Sequence, residues 1–450
     1  MRLYHRELTI PSSVEEEPSL AGFRRAVTSR LTAGEVPVRF AITGTKDGSY
    51  RCEVGVASEV GPKRLGHWND PEIFSFSPRR IENTSQFTAV LLIPTGIGAE
   101  LGGHAGDGGA LARLTASACD KLITHPNVVN AADINELPEN GLYVEGSVIS
   151  DLMAGNLALQ EVRANRILLV TEPREDKRIT DFSVNTASAA RAAIGIDCVG
   201  VVDLPQPLRM EPGYSESGCA VGQVDHLEPL FDLLFQYRDQ YDAVALHTGV
   251  DVPSSLCAEY LQSRGEVLNP WGGIEAMLTH LLALTLSVPT AHAPMAMTME
   301  ELTTDFGIVD PRMSAEVISA CCLLCVLKGL HKSPRIIRDP AATGLSGVIS
   351  NSDISCLIIP DGCVGIPTLA AMEQGIPVIA VRENRNQMRN DLSEYPFKPG
   401  KLHIVDNYLE AVGVMNALKA GVSVESVRRP LSGTHVDALG YRLSDLAEQR

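Results

Sequence analysis

The feature that most restricts the fold of this chain is an alternation, from residue 88 onward, of short apolar runs with helical periodicity. The apolar runs are residues 88–94, 165–171, 198–203, 242–247, 354–360, 376–381 and 402–405. The helical segments are residues 109–119, 184–194, 226–240, 273–286, 315–330, 368–374 and 409–420. Continuously apolar strands with helices between them are typical of parallel sheets covered on both faces. The pattern therefore predicts an α/β fold.

The first 80 residues have a different pattern. Two strand-like runs, 37–42 and 50–57, flank the hairpin signal Lys46-Asp47-Gly48, and a helical stretch precedes them. We therefore predict a small N-terminal α+β cap at residues 1–80, followed by two Rossmann-like parallel-sheet lobes at residues 81–265 and 266–450. Proline and glycine interrupt the alternation near the second boundary.

Charge and hydropathy restrict the partners. The chain has 55 Asp and Glu against 38 Lys and Arg, a net charge of −17, which repels nucleic acid. Its start lacks an apolar core of signal-peptide length, and its most apolar stretches are too short to span a bilayer. Cys321, Cys322 and Cys325 lie in an apolar helical pattern, where free cysteine packs as a small hydrophobe. We expect a cytoplasmic protein with a small-molecule substrate and no membrane partner; if it associates, a homo-oligomer is the expected state.

Residues 94–109 hold seven glycines in sixteen positions, directly after an apolar strand run and directly before a helix. Ligands of open α/β sheets bind beyond the strand ends, and glycines let backbone N–H groups approach an anion. In this loop we expect proton transfer by His104 and Asp107. The expected ligand-binding residues of the loop are Thr95, Gly96, Gly98, Gly102 and Gly103. The alternative is an ordinary turn.

A second polar cluster follows the next short strand, within residues 123–136. Neighbouring parallel strands would bring His125, Asn127 and Asn130 into one crevice with the glycine-rich loop. Glu145, at a later strand-to-helix junction, is a further catalytic candidate for that crevice. The alternative for each Asn is a helix or turn cap.

A second glycine turn follows the strand run at 354–360. Its expected ligand-binding residues, together with two just past the next strand, are Asp361, Gly362, Gly365, Thr368, Arg382 and Asn384. The helix that it opens favours an anion or a thiolate at its N-terminus, so Cys363 is a candidate nucleophile. The alternative for Cys363 is a packing role.

Between the two glycine-rich segments, Gly272, Gly273 and Glu275 open a helix. Two glycines and a Glu at a helix start bind an anion or form a cap with an acidic first turn. His292, after a short strand run, is a candidate ligand or acid–base residue. His280 lies on an apolar helix face and is interpreted as a core histidine.

Cofactor chemistry stays open at this stage. His104, Asp107 and His125 offer nitrogen and oxygen ligands for a divalent metal, although no HExxH-type spacing joins them. A nucleotide is less expected, because the chain has neither a Walker loop nor a clean GxGxxG. There is no Gly-x-Ser-x-Gly elbow and no kinase signature set.

Several stretches resemble an uncharacterised domain-of-unknown-function family of bacteria, cyanobacteria and plants. The resemblance covers most of residues 85–435. The stretches that carry it are PTGIGAELGGHAGDGGA, THPNVVNAADINELPENGLYVEG, NPWGGIEAMLTH, TAHAPM and IPDGCVGIPTLAAMEQGIPVIAVREN.

More weakly, the loop with Gly102-Gly103-His104 and the segment 365–381 are similar to the lobes of GT-B glycosyltransferases and nucleotide-sugar epimerases. That resemblance implies two Rossmann-like lobes around a cleft. It departs from the glycosyltransferase pattern where Ala370 stands near the position of a second helix Glu, so it implies the fold more than sugar transfer.

Taken together, the sequence predicts an enzyme with His and Asp acid–base chemistry on a small anionic metabolite, bound in an interlobe cleft by glycine-rich loops. Transfer, isomerisation and hydrolysis stay open. A metal-dependent hydrolase or lyase using His104, Asp107 and His125 is one alternative. A non-catalytic metabolite sensor is the other.

Overall fold

The structure is a computed structural model that describes residues 1–12, 18–58, 72–104, 106–131, 137–319, 322–339, 345–431 and 433. Parts of the predicted N-terminal cap (59–71), of the polar cluster (132–136) and of the last predicted lobe (434–450) lie outside the described residues.

Nineteen strands form four sheets within the described residues. The strands are β1 (Arg2–Pro11), β2 (Val36–Lys46), β3 (Ser49–Ser58), β4 (Thr88–Leu91), β5 (Lys121–Thr124), β6 (Gly141–Tyr143), β7 (Ala158–Gln160), β8 (Ile167–Thr171), β9 (Cys198–Asp203), β10 (Arg209–Tyr214), β11 (Ala220–Asp225), β12 (Ala243–Thr248), β13 (Thr290–Pro294), β14 (Arg335–Ile337), β15 (Val348–Ile349), β16 (Ile354–Pro360), β17 (Val364–Gly365), β18 (Val378–Val381) and β19 (Leu402–Val405).

The α-helices follow the strands in the order expected of an α/β chain. They are α1 (Leu20–Thr28), α2 (Gly109–Ala116), α3 (Pro126–Val129), α4 (Gly146–Met153), α5 (Lys177–Ala189), α6 (Glu228–Gln236), α7 (Ser254–Gln262), α8 (Gly272–Leu286), α9 (Met299–Thr303), α10 (Ser314–Ile318), α11 (Cys322–His331), α12 (Ile366–Gln374) and α13 (Tyr408–Lys419). Side chains cap several of them, as Asn407 does for α13, and so satisfy N–H groups that a helix start leaves free.

The first parallel sheet has the strand order β19-β18-β16-β4-β5-β6. Its central strands are buried along their whole length, since every residue of β4 and β16 is apolar or hydrogen-bonded and shielded from solvent. From β4 the chain runs outward through β5 and β6, and it returns to pair β16 on the other side of β4. This is the Rossmann order, with its switch point between β4 and β16. The predicted α/β fold is confirmed.

The second parallel sheet has the order β13-β12-β8-β9. The sheets do not follow the boundary predicted near residue 265: β12 and β13, which flank it, pair with each other, and β4 pairs with β16. The sequence of a continuously apolar strand does not indicate which strand it pairs with. Pairing between distant segments therefore cannot be predicted from the local pattern.

The N-terminal region is β-rich, as the hairpin signal predicts, and forms an antiparallel sheet in the order β10-β11-β1-β3-β2-β17. Three of its strands come from outside the first 80 residues: β11 pairs with β1, β10 with β11, and β17 with β2. This sheet is therefore joined to the end of β16 through β17, and it covers the carboxyl edge of the first parallel sheet.

Candidate functional site

A cavity of about 710 Å³ lies between the carboxyl edges of the two parallel sheets, and we call it the main cavity. Residues that follow β4, β5 and β6 line one side, and residues that follow β12 and β13 line the other, with the start of α8 between them. The predicted site residues that line it are Thr95, His104, His125, Asn127, Asn130, Glu145, Gly272, Glu275 and His292. Residues far apart in the chain thus meet at strand ends, where ligands of such sheets bind.

Glu145 and His280 form a buried pair on the wall of the main cavity. Glu145 ends the turn after β6 and caps α4, where its carboxylate accepts the backbone N–H of Ser147 at 2.8 Å. Its Oε1 binds Nδ1 of His280, and Thr279 Oγ1 lies 3.3 Å from the same oxygen. Burial alone would raise the pKa of Glu145, but the charge and hydrogen bond of His280 and the bonds from Ser147 lower it overall.

His280 is therefore not the core histidine that its apolar helix face indicates. Its ring lines the main cavity, and its exposed fraction is 16%. Because Nδ1 is held by Glu145, Nε2 is the nitrogen left to exchange a proton with a ligand.

Glu275 and His292 form a second pair, contributed by the first turn of α8 and by β13. Oε1 of Glu275 lies 2.8 Å from Nδ1 of His292, and Thr248 Oγ1 lies 2.9 Å from Nε2 of the same ring. Both ring nitrogens of His292 are thus engaged, which orients the imidazole and anchors Glu275. The Glu275 side chain is 19% exposed and that of His292 only 1%, so Glu275 is the more accessible member of the pair.

His104 lines the main cavity and is buried among charged groups. Burial and the nearby Arg312 lower its pKa, against the opposing effect of Asp310 and Glu100. Its Nδ1 has no hydrogen-bond partner among the described residues. The ring lies 6.2 Å from that of the buried Tyr260. Because His104 lines the main cavity, its unpartnered Nδ1 is available to a polar ligand.

The side chains of His125 and the two predicted asparagines are held by hydrogen bonds within the protein. His125 Nε2 accepts the N–H of Ile93 at 3.1 Å, and burial lowers its pKa to about 4, so the ring is neutral with its proton on Nδ1. Asn127 donates to the carbonyls of Ile93 and Gly102. Asn130 Oδ1 accepts from the Tyr143 hydroxyl at 3.1 Å. Asn127 thus ties down the glycine-rich loop, in keeping with the turn-stabilising alternative.

Glu316, on α10, is a lining residue that the sequence gives no reason to select. Burial raises its pKa to about 8, with further contributions from the charges of Glu275 and Asp107. At neutral pH its carboxyl group is therefore protonated, and it faces the same cavity as the ionised Glu145.

Most of the predicted ligand-binding glycines have a conformational or packing role. Gly96, Gly98 and Gly102 have positive φ angles, which glycine adopts without strain. A Cβ on Gly103 would lie 2.1 Å from the Ala99 oxygen, and one on Gly273 would lie 2.0 Å from the Ala220 oxygen. The amide of Gly272 donates to Asn269 Oδ1 instead of facing an anion.

Asp107 is likewise an internal group. Burial raises its pKa, and its Oδ1 accepts the Gly102 N–H at 2.9 Å, closing the loop. His125 Nε2 is likewise engaged, by the Ile93 N–H. No group of three His, Cys, Asp or Glu side chains within the described ranges is placed to hold a metal ion.

The second glycine turn lies beside a smaller cavity of about 110 Å³, which we call the inner cavity. Cys363, Gly365 and Thr368 line it, together with Thr95 and His125, which border both cavities. Burial raises the pKa of Cys363 well above its ordinary value, which is the opposite of what a nucleophilic thiolate requires. The described cysteines are all free.

Four further predicted residues of this segment lie elsewhere. Gly362 has a positive φ and donates its N–H to Oδ1 of Asp361, whose pKa is raised by burial. Arg382 is exposed and lies 3.4 Å from Asp406. Asn384 binds both the N–H and the carbonyl of Leu101, so it fastens the glycine-rich loop to the end of β18. The two glycine turns are thus neighbours at the switch point, although these four residues line neither cavity.

The comparisons with known proteins place the chain in a family. The family model for proteins of unknown function named DUF3326 matches residues 88–428, which include both parallel sheets. An uncharacterized lipoprotein of Synechococcus sp. is 34% identical over 339 residues, which is 74% of this chain and 91% of that protein. No solved structure was found to match, and the similarity to glycosyltransferase lobes rests on sequence alone.

These matches correct one expectation and confirm another. The prediction of a cytoplasmic location is wrong on this finding, because the Synechococcus relative is named as a lipoprotein. None of the helices in the described part of the chain is long and apolar enough to cross a bilayer. The resemblance seen over residues 85–435 is confirmed: the chain belongs to the DUF3326 family of proteins of unknown function.

Proposed function

We propose that this protein is an enzyme that transfers protons to and from a small molecule held in the main cavity. The observation that carries the proposal is the Glu145–His280 pair, in which a buried carboxylate fixes one ring nitrogen while the ring itself faces a cavity. A carboxylate that orients a histidine in this way also stabilises the imidazolium that forms when the ring accepts a proton.

Glu316 supports the same chemistry with the opposite protonation state. Its carboxyl group is neutral at pH 7, whereas Glu145 is ionised, and both line one cavity. Titratable groups whose surroundings push their pKa values apart are the usual basis for separate acid and base roles. We assign His280 as the base and Glu316 as the acid, which suits isomerisation or elimination with no change in oxidation state.

The lining also restricts the substrate. The described residues around the main cavity include five glutamates and four histidines, but neither Lys nor Arg. A volume of about 710 Å³ is in the range of small-molecule sites, roughly 300–1,000 Å³. We therefore propose a metabolite whose part in the main cavity is neutral, because this lining includes the ionised Glu145 and offers no described Lys or Arg to pair with an anion.

The test is proton exchange in heavy water. The purified protein is incubated in D2O with mixtures of small metabolites, and mass spectrometry detects any compound that gains deuterium at carbon. We expect one compound to be labelled by the wild-type protein and not by His280→Gln. The matched control is His226→Asn, since His226 is exposed and Asn tolerates its φ of 61°.

Two outcomes would contradict the proposal. Labelling by His280→Gln at the wild-type rate would remove His280 from the chemistry. Thermal stabilisation of the wild-type protein by a compound that is neither labelled nor converted would favour the metabolite-sensor alternative instead.

A further inference from the structure

The lining of the inner cavity includes a positively charged side chain, and the described lining of the main cavity does not. Among the described residues that line either cavity, the only Arg or Lys is Arg39, and it faces the inner one. Arg39 lies on β2 and Glu53 on β3, so the antiparallel sheet forms this wall. Both residues lie outside the stretch matched by the family model, residues 88–428.

Arg39 and Glu53 each keep one buried polar atom free of hydrogen bonds. Arg39 Nη1 and Glu53 Oε2 have no hydrogen-bond partner among the described residues, and they lie 3.7 Å apart, too far for a hydrogen bond to each other. The other carboxylate oxygen, Oε1 of Glu53, accepts from Ser215 at 2.7 Å. The Glu53 side chain is only 1% exposed. The ion-paired guanidinium and carboxylate, each with one atom that makes no hydrogen bond, therefore lie side by side on the wall of the inner cavity.

The first turn of α12 forms the opposite wall. Gly365 is its N-cap and provides no side-chain hydrogen bond, and Ile366, Pro367 and Thr368 also line the inner cavity. The N-terminus of a helix carries a partial positive charge, so this wall adds to the charge of Arg39 in favouring an anion.

We propose that the inner cavity binds the carboxylate of an α-hydroxy or α-amino acid substrate, with the carboxylate on Arg39 and the neighbouring hydroxyl or ammonium group on Glu53. This proposal rests on the proposed function and names the substrate class for it. A volume of about 110 Å³ suits such a head group and not a large ligand. The charge of Glu53 disfavours a dianion such as phosphate, because a buried anion beside a second anion is costly.

The inner cavity is next to His280, so a substrate bound there would place the carbon beside its carboxylate near the proposed base. His280 and His125 line both cavities. A carboxylate held at Arg39 would leave the carbon next to it at the border, within the region of the His280 ring. The hydrogen on that carbon is the one that acid–base catalysis removes most readily once the carboxylate is neutralised by a cation.

The test measures binding of four probes, namely lactate, alanine, lactamide and inorganic phosphate, to the full-length protein by calorimetry at matched ionic strength. We expect lactate or alanine to bind, and lactamide, which lacks the charge, and phosphate not to. Arg39→Gln should weaken that binding at least about tenfold, the effect of losing one charge-assisted hydrogen bond.

A second variant keeps the test decisive if Arg39→Gln does not fold. A Cβ added to Gly365 would meet only the Phe40 oxygen at 3.4 Å and Pro367 Cδ at 3.8 Å, which are ordinary contacts, so Gly365→Ala should fold while narrowing the inner cavity. Its control is Gly413→Ala on α13, where a Cβ meets nothing within 4 Å. We expect weaker lactate or alanine binding in the first variant only.

The inference is overturned if no carboxylate probe binds the wild-type protein, if lactamide or phosphate binds as well as lactate, or if both Arg39→Gln and Gly365→Ala bind like the wild type. Its failure is distinguishable from failure of the proposed function. Deuterium labelling that survives in Arg39→Gln leaves the acid–base chemistry standing without this subsite. Carboxylate binding that depends on Arg39, with no labelling of any compound, leaves the subsite standing without the chemistry.

Discussion

Oε1 of Glu275 lies 2.8 Å from Nδ1 of His292, which joins the first turn of α8 to a strand of the second parallel sheet. Replacing Glu275 by Ala removes the partner of His292 Nδ1, and this loss destabilises the fold because the His292 ring is buried. We expect Glu275→Ala to lower the free energy of unfolding by about 1–3 kcal/mol, measured by urea denaturation. The exposed Glu300 of the same cavity serves as control, and Glu300→Ala should stay within about 0.5 kcal/mol of the wild type. Equal effects of the two variants would contradict the structural role of the pair.

The Glu145–His280 pair predicts a loss of stability in acid. The pKa of Glu145 is lowered from 4.5 in the folded protein, so folding favours its ionised form. Its contribution to stability is complete above pH 4.5 and is lost as the pH falls through the folded pKa. The free energy of unfolding, measured against pH, should fall less steeply below pH 4.5 in Glu145→Gln than in the wild type. Parallel curves for the two proteins would show that the pair is not ionised in the fold.

Glu316 predicts the reverse dependence. Its pKa is raised from 4.5 to about 8, so the folded protein holds a proton that the unfolded chain has already released. The free energy of unfolding should decrease as the pH rises from 4.5 to about 8 and then level off, and Glu316→Gln should flatten this slope. The proton-exchange rate should also decline above pH 8, because the acid is then ionised. A pKa near 4.5, read from the carbon NMR signal of the side chain, would contradict both expectations.

Cys363 should be unreactive in the folded protein. Burial raises the pKa of its thiol, and the thiolate is the species that iodoacetamide alkylates. Mass spectrometry should find Cys363 unmodified after native treatment at neutral pH and modified after treatment in urea. Rapid alkylation of the native protein would contradict this expectation and support the nucleophile hypothesis for this residue.

The parts of the fold that sequence predicts best are the continuously apolar strands. The run at 354–360 has the bounds of β16, and those at 198–203 and 402–405 have the bounds of β9 and β19. The hairpin of β10 and β11 is not visible in the sequence, because Arg209–Tyr214 contains polar residues as well as Pro212 and Gly213. The hairpin is stabilised instead by the pairing of β11 with β1, about two hundred residues earlier in the chain. Local hydrophobic patterns indicate which residues are buried, but they do not indicate which strands pair.

The candidate site likewise combines residues that local sequence patterns predict with residues that only long-range contacts bring to the cavity. Its strand-end residues were predictable, since parallel neighbours such as β4 and β5 bring His104 and His125 to one cavity. His280 was not, because it stands on an apolar helix face and its partner, Glu145, is 135 residues away. Nor was Arg39, which lies in the antiparallel sheet that covers the strand ends. The chemistry of these side chains depends on contacts that only the assembled sheets create.

Gly273 provides the sharpest test of the packing that holds α8 against the antiparallel sheet. A Cβ at this position would lie 2.0 Å from the Ala220 oxygen and 2.4 Å from its carbonyl carbon, both backbone atoms that cannot rotate away. Gly273→Ala should therefore destabilise the protein by about 1–3 kcal/mol or more, seen as a lower urea midpoint. Gly413→Ala, inside α13 with open space around the added carbon, should instead stabilise by about 0.5–1 kcal/mol. If Gly273→Ala matched the wild type in stability, the close approach of α8 and β11 would be refuted, and with it the position of Glu275 in the main cavity.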